Sequence, residues 1–237
     1  MNYLAHVFLA GPRVTDQVGG LLGDFVKGPL PAGLPPDLAA GVELHRFIDS
    51  FTDRHPIFRQ SQQRLSASFR RFSGIMIDLL YDHFLARHWS DFSDVPLLSF
   101  THDFYAALDQ FQPWLPDELR AIQGRMRERN WLAAYAELSV VGRALDQIGQ
   151  HRLRRPNPLV GSVQELESHY KDLERDFWAF MPDVQRQSAL WRQSHPAGFW
   201  PVGWQPPHPS ASRSATRPAT VCRGRADVRA GCRCITG

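Results

Sequence analysis

In the segment GVELHRFIDSFTDR, residues 41–54, His45, Asp49 and Asp53 recur at every fourth position. That spacing sets them on one stripe of a helix. Asp78 and Asp82 repeat it in IDLLYDHFLARHW, residues 77–89. Both stripes run among large apolar side chains, where a carboxylate is rarely placed unless something cationic accepts it, and a metal ion is the usual cation. His6 in NYLAHVFLA and Asp24 in LLGDFV likewise interrupt apolar runs. His6, Asp24, His45, Asp49, Asp78 and Asp82 thus form a candidate metal-ligating set of oxygens and imidazoles without cysteine. Such a set suits manganese, magnesium or iron better than structural zinc. His83 and His88 are candidates for outer partners or for acid–base work, His88 with the weaker claim. The competing account makes these residues helix caps and exposed i,i+4 pairs with Arg46, Arg54 and Arg87. It covers Asp53 and Asp91 but explains Asp24 and Asp78 poorly.

Positioning these groups falls to helices. Apolar residues recur at helical spacing, as in Leu44, Phe47, Ile48 and Phe51 or Ile77, Leu80, Phe84 and Leu85, and no segment sustains strand alternation. Prolines, glycines and caps divide the chain into helices over about 2–10, 15–27, 36–53, 56–71, 73–89, 96–110, 116–128, 130–149 and 162–190. The expected fold is all-α, a single multi-helix domain over residues 1–194. From 195 to 237 the chain is rich in Pro, Gly, Ser, Ala and Arg without a hydrophobic period, the composition of a disordered tail.

Hydrophobic residues at 43% and charged residues at 22% of 237 fit a globular chain and exclude a wholly disordered or collagen-like one. No apolar run is long enough for a membrane helix and the first residues lack the layout of a secretion signal, so a cytoplasmic protein is expected. Residues 209–237 hold six arginines against Asp227 alone, so the net charge of +3 belongs to the tail and the body is slightly acidic. Cys222, Cys232 and Cys234 all lie there too, which excludes a disulfide framework for the body and gives no zinc-knuckle spacing. Within the body, Arg54, Arg59, Arg64, Arg70 and Arg71 follow the His45 stripe with no Asp or Glu between Arg54 and Ile77. This band suits an acidic partner. Without interleaved surface aromatics it does not suit single-stranded nucleic acid.

The segments NYLAH at 2–6, GGLLGDFVKG at 19–28, LHRFIDSFTD at 44–53, DLLYDHFLARHW at 78–89 and SHYKDLERDFWAFMP at 168–182 resemble the acyl carrier protein phosphodiesterases over about residues 1–192. The resemblance implies an all-α domain related to HD-type metal phosphohydrolases and a divalent metal, commonly Mn2+, with Mg2+ or Fe2+ as alternatives. It implies cleavage of the phosphodiester joining 4'-phosphopantetheine to a serine of holo-acyl carrier protein, a small acidic partner that the arginine band would attract. On this reading Arg46 grips a phosphate oxygen and His83 protonates the departing serine. Two residues depart from the family pattern as expected here: Gly20 stands in place of Asn and Gly23 in place of Ala, both flanking Asp24. Two other readings share parts of these features, an HD-like nucleotide phosphohydrolase and a non-enzymatic helical module that binds an acidic protein.

Overall fold

The computed structural model describes residues 1–151, 153 and 156–195. The described residues form an all-α structure without strands. Its helices are α1 (Tyr3–Leu9), α2 (Val14–Leu22), α3 (Pro36–Arg54), α4 (Pro56–Arg64), α5 (Ser73–Arg87), α6 (Leu97–Leu108), α7 (Asp117–Glu128), α8 (Trp131–Ala134), α9 (Leu138–His151), α10 (Val163–Ser168) and α11 (Tyr170–Ser194). Short 3-10 turns over Ala67–Phe69, Trp89–Asp91 and Asp109–Trp114 link some of them. None of the helices is long and apolar enough to cross a membrane. The expected tail beyond His195, with its three cysteines, lies outside the described residues.

The expected helices are present, with marked differences in four of them. The second stops at Leu22, five residues early, so Asp24 sits in the turn that follows rather than inside a helix. The fourth stops at Arg64, and Leu65 takes an extended conformation. The last two expected helices each divide, at Tyr135–Glu137 and at His169. The junction of α3 and α4 was legible: Pro56 disfavours helical geometry at His55, whose ψ of 130° ends one helix while its ring Nδ1 accepts the Ile57 amide and caps the next.

Helices α1, α2, α3, α5 and α11 pack around a core in which Tyr3, Leu4, Leu21, Leu22, Tyr81, Phe84, Phe177 and Phe180 are fully buried. Helices α2 and α3 approach closely, and glycine makes it possible. A Cβ on Gly19 would lie 2.6 Å from the Cα of Gly41, and one on Gly41 would lie 2.8 Å from the Asp16 carbonyl oxygen. The backbones therefore touch, which carries the end of α2 against the middle of α3, where the stripe of His45 and Asp49 begins.

Candidate functional site

The centre is built from α1 and α3. His6 on α1 and His45 on α3 are 1% and 3% exposed, and their rings stack with centroids 3.7 Å apart. Asp49, one turn after His45, accepts both: its Oδ1 lies 3.0 Å from His6 Nε2 and its Oδ2 lies 3.2 Å from His45 Nε2. The carboxylate keeps 47% of its side chain open to solvent although its oxygens sit beside the two rings. Among the described residues these three form a group whose ligand atoms all lie within 4.8 Å of one another.

Each ring has a defined orientation. His45 Nδ1 lies 2.8 Å from the Gly20 carbonyl oxygen, which orients the ring so that Nε2 faces Asp49. His6 Nε2 is also 3.2 Å from the Met1 carbonyl oxygen, while its buried Nδ1 has no hydrogen-bond partner among the described residues. Burial and the neighbouring His45 push the His6 pKa down to about 3, against the pull of Asp49, so this imidazole stays neutral. Burial opposes a charge on His45 as well, but the charges of Asp49 and Asp24 outweigh it and raise its pKa. For Asp49 the same burial is outweighed by His45 and His6, which hold it well below the usual carboxylate range. Two imidazoles and an anion at one partly open point are a donor set suited to a divalent cation.

The other expected residues divide into those near this centre and those used elsewhere. Asp24, 8% exposed, acts on His45 through its charge. Asp78 on α5 accepts the Met1 α-amino group at 2.6 Å, and that ammonium is 3.9 Å from Asp49, which ties α5 to the centre. Arg46 donates to the Val26 carbonyl oxygen at 3.2 Å, just past Asp24. Asp82 is directed differently: its two oxygens accept the backbone amides of Leu4 and Ala5 at 2.8 and 3.1 Å. His83, expected to supply a proton, lies 2.9 Å through Nδ1 from the Tyr135 carbonyl oxygen and 2.7 Å through Nε2 from the Tyr170 hydroxyl, and it makes no bond to the centre. His88 pairs with Glu174 at 2.6 Å.

Of the arginine band, Arg54, Arg59, Arg70 and Arg71 are exposed. Arg64 is not part of an open surface. It grips Asp176 of α11 with Nε at 2.6 Å and Nη2 at 3.0 Å, and Ser61 and Gln60 donate to the same buried carboxylate. Sequence spacing could not show this pairing, because the partners are 112 residues apart.

The sequence also hid the backbone contributions of Gly20 and Met1. Gly23 stood out only as a departure from the family pattern, and the structure gives it a use. It caps the C-terminal end of α2 with helical dihedrals, and a Cβ there would lie 2.1 Å from His45 Cγ. The imidazole occupies the place of the missing side chain. Gly23→Ala, the residue of the family pattern, should therefore make the His45 ring or the turn shift and change metal affinity by up to about tenfold, the scale seen for altered outer partners. Residue 23 lies in the turn past α2, so no helix-interior gain applies, and crowding a buried ring should also lower stability by about 1–3 kcal/mol. Unchanged metal affinity in this variant would show that the ring tolerates the methyl group.

Fold and site together define the class: an all-α protein with a buried pair of imidazoles and one carboxylate converging where solvent can reach. The family profile described as acyl carrier protein phosphodiesterase matches residues 1–184. A Yersinia pestis protein named acyl carrier protein phosphodiesterase is 36% identical over 193 residues, covering 79% of this chain and 97% of the relative. Proteins of the same name from Pectobacterium atrosepticum and Escherichia coli are 36% and 35% identical over 189 and 193 residues, covering 78% and 80% of this chain and 96% and 98% of the relatives. No solved structure matches. The chain belongs to the acyl carrier protein phosphodiesterase family.

Proposed function

We propose that this chain hydrolyses the phosphodiester between 4'-phosphopantetheine and the serine of holo-acyl carrier protein, releasing the apo-protein and free 4'-phosphopantetheine in the cytoplasm. The observation that carries the chemistry is the convergence of one ligand atom each from His6, His45 and Asp49, all within 4.8 Å of one another. These residues would hold a divalent cation, most readily Mn2+, with Mg2+ or Fe2+ as alternatives. When bound, such a cation neutralises phosphate oxygens and makes water more acidic, which is what attack on an already anionic ester needs.

The chain's own groups prepare that site. The Gly20 carbonyl orients the His45 ring, burial keeps His6 neutral, and Asp49 supplies an anion that persists to low pH. Asp24 and Asp78 are outer carboxylates that set the field around these donors. Arg46, adjacent to His45, is the guanidinium nearest in sequence to the centre and is assigned to a phosphate oxygen. His83 is given no proton-transfer role, because both of its nitrogens are held by Tyr135 and Tyr170. Holo-acyl carrier protein incubated with the chain and Mn2+ should lose the mass of phosphopantetheine, and a chelator should stop the loss. An intact carrier protein under both conditions would refute the proposal.

Docking is assigned to the exposed Arg54, Arg59, Arg70 and Arg71, since an acidic protein approaches such a surface faster at low salt. Reversing Arg59, Arg70 and Arg71 to Glu should raise KM for holo-acyl carrier protein by about tenfold or more while kcat changes little. A KM that stays fixed at low ionic strength would point to a small substrate instead.

The site also has a pH signature. His45, raised in the folded protein, stabilises the metal-free form below pH ~6.5, and that contribution is lost as pH rises through its folded value. Cation binding requires the neutral ring, so protons and metal compete there. The rise in Tm on adding Mn2+ should accordingly be larger at pH 8 than at pH 6. An equal or smaller rise at pH 8 would exclude His45 as the competing group.

A further inference from the structure

Helix α1 is seven residues long and has neither an acidic residue in its first turn nor a capping bond from its own N-cap, Asn2. Its first amides nevertheless need acceptors, since they lie in the protein interior where water is excluded. Asp82 on α5 supplies them from 77 or 78 residues away: Oδ2 accepts Leu4 N–H at 2.8 Å and Oδ1 accepts Ala5 N–H at 3.1 Å. The carboxylate is fully buried, and a group this costly to bury persists only where its bonds matter. His6 is the next residue after Ala5. A two-pronged grip on the preceding amides fixes how far α1 is rotated and advanced toward α3, and so where His6 Nε2 meets Asp49.

We propose that Asp82 is a positioning residue: it caps α1 in trans from α5 and thereby places His6 at the centre, without itself being a ligand. This rests on the metal reading of the site, and it makes Asp82 act wholly through His6. Burial raises the Asp82 pKa to about 7 against the opposing pull of the two amides, in keeping with a group enclosed by protein.

The test is a double-mutant cycle on Mn2+ affinity, followed by electron paramagnetic resonance of free Mn2+, in the parent, Asp82→Asn, His6→Ala and the double variant. Asn keeps one oxygen in place and loses the second acceptor. The expected result is that Asp82→Asn weakens Mn2+ binding by about 10- to 100-fold when His6 is present, and by less than about threefold when His6 is absent. Equal weakening in both backgrounds would make Asp82 a ligand and overturn the proposal, as would unchanged affinity in the first. A parent that binds no Mn2+ would instead defeat the metal reading. The cap is then decided in the metal-free protein, where Asp82→Asn should speed hydrogen exchange at the Leu4 and Ala5 amides by at least about tenfold, because a buried amide without its acceptor opens more readily. Unchanged exchange there would overturn it.

Discussion

Replacing Asp49 by Ala is expected to remove phosphodiesterase turnover while leaving the helices intact. The side chain is about half exposed, so its loss opens no core cavity, although His45 Nε2 loses this partner. What disappears is the one anion shared by both imidazoles, at 3.0 and 3.2 Å. Losing an outer partner of a metal ligand costs about 10- to 100-fold, and a direct donor should cost more than that in both kcat/KM and Mn2+ affinity. His45→Ala should match it. If Asp49→Ala retains turnover within about threefold of the parent, the convergence of these residues is not the reactive centre.

The largest effect on stability is expected from Asp176→Ala. This carboxylate is 3% exposed and binds Arg64 through two contacts, with Ser61 and Gln60 completing it, and Ser61 in turn meets the Tyr81 hydroxyl at 2.8 Å. Removing it leaves a guanidinium, 25% exposed, against the α4–α11 seam without its counter-ion. Breaking such a pair costs about 3 kcal/mol or more, read as a lower denaturant midpoint at unchanged slope. The contribution is also acid-sensitive. Burial would raise the Asp176 pKa, but the bonds from Arg64, Ser61 and Gln60 lower it, so the stabilisation is complete above about pH 4 and fades as pH falls through the depressed folded value. A loss below about 1 kcal/mol would mean that water replaces the carboxylate at little cost.

Much of this architecture was legible because it is local. The helices follow from apolar spacing and from Pro and Gly, and the i,i+4 relation of His45 to Asp49 is a property of one segment. His6 stood out as a polar residue on a buried face. The remainder depends on contacts between distant segments, which no spacing encodes. Asp82 looked like a metal ligand because a carboxylate among apolar residues needs compensation, and backbone amides of a short helix turn out to provide it. Arg64 looked like part of a docking surface until α11 placed Asp176 beside it. Asp24 was expected within a helix, but α2 ends at Leu22, and that end lets Gly20 and Gly23 meet His45 by backbone and by vacancy at Cβ.

The contact of Gly19 with Gly41 has a consequence beyond packing. Any side chain at either position must wedge apart the two rods that bring the Gly20 carbonyl to His45, so the seating of that ring depends on two residues outside the centre. Their tolerance to change is governed by the backbone separation that they permit, and an engineer who sought a sturdier variant by filling helical glycines would blunt the catalyst first at this crossing.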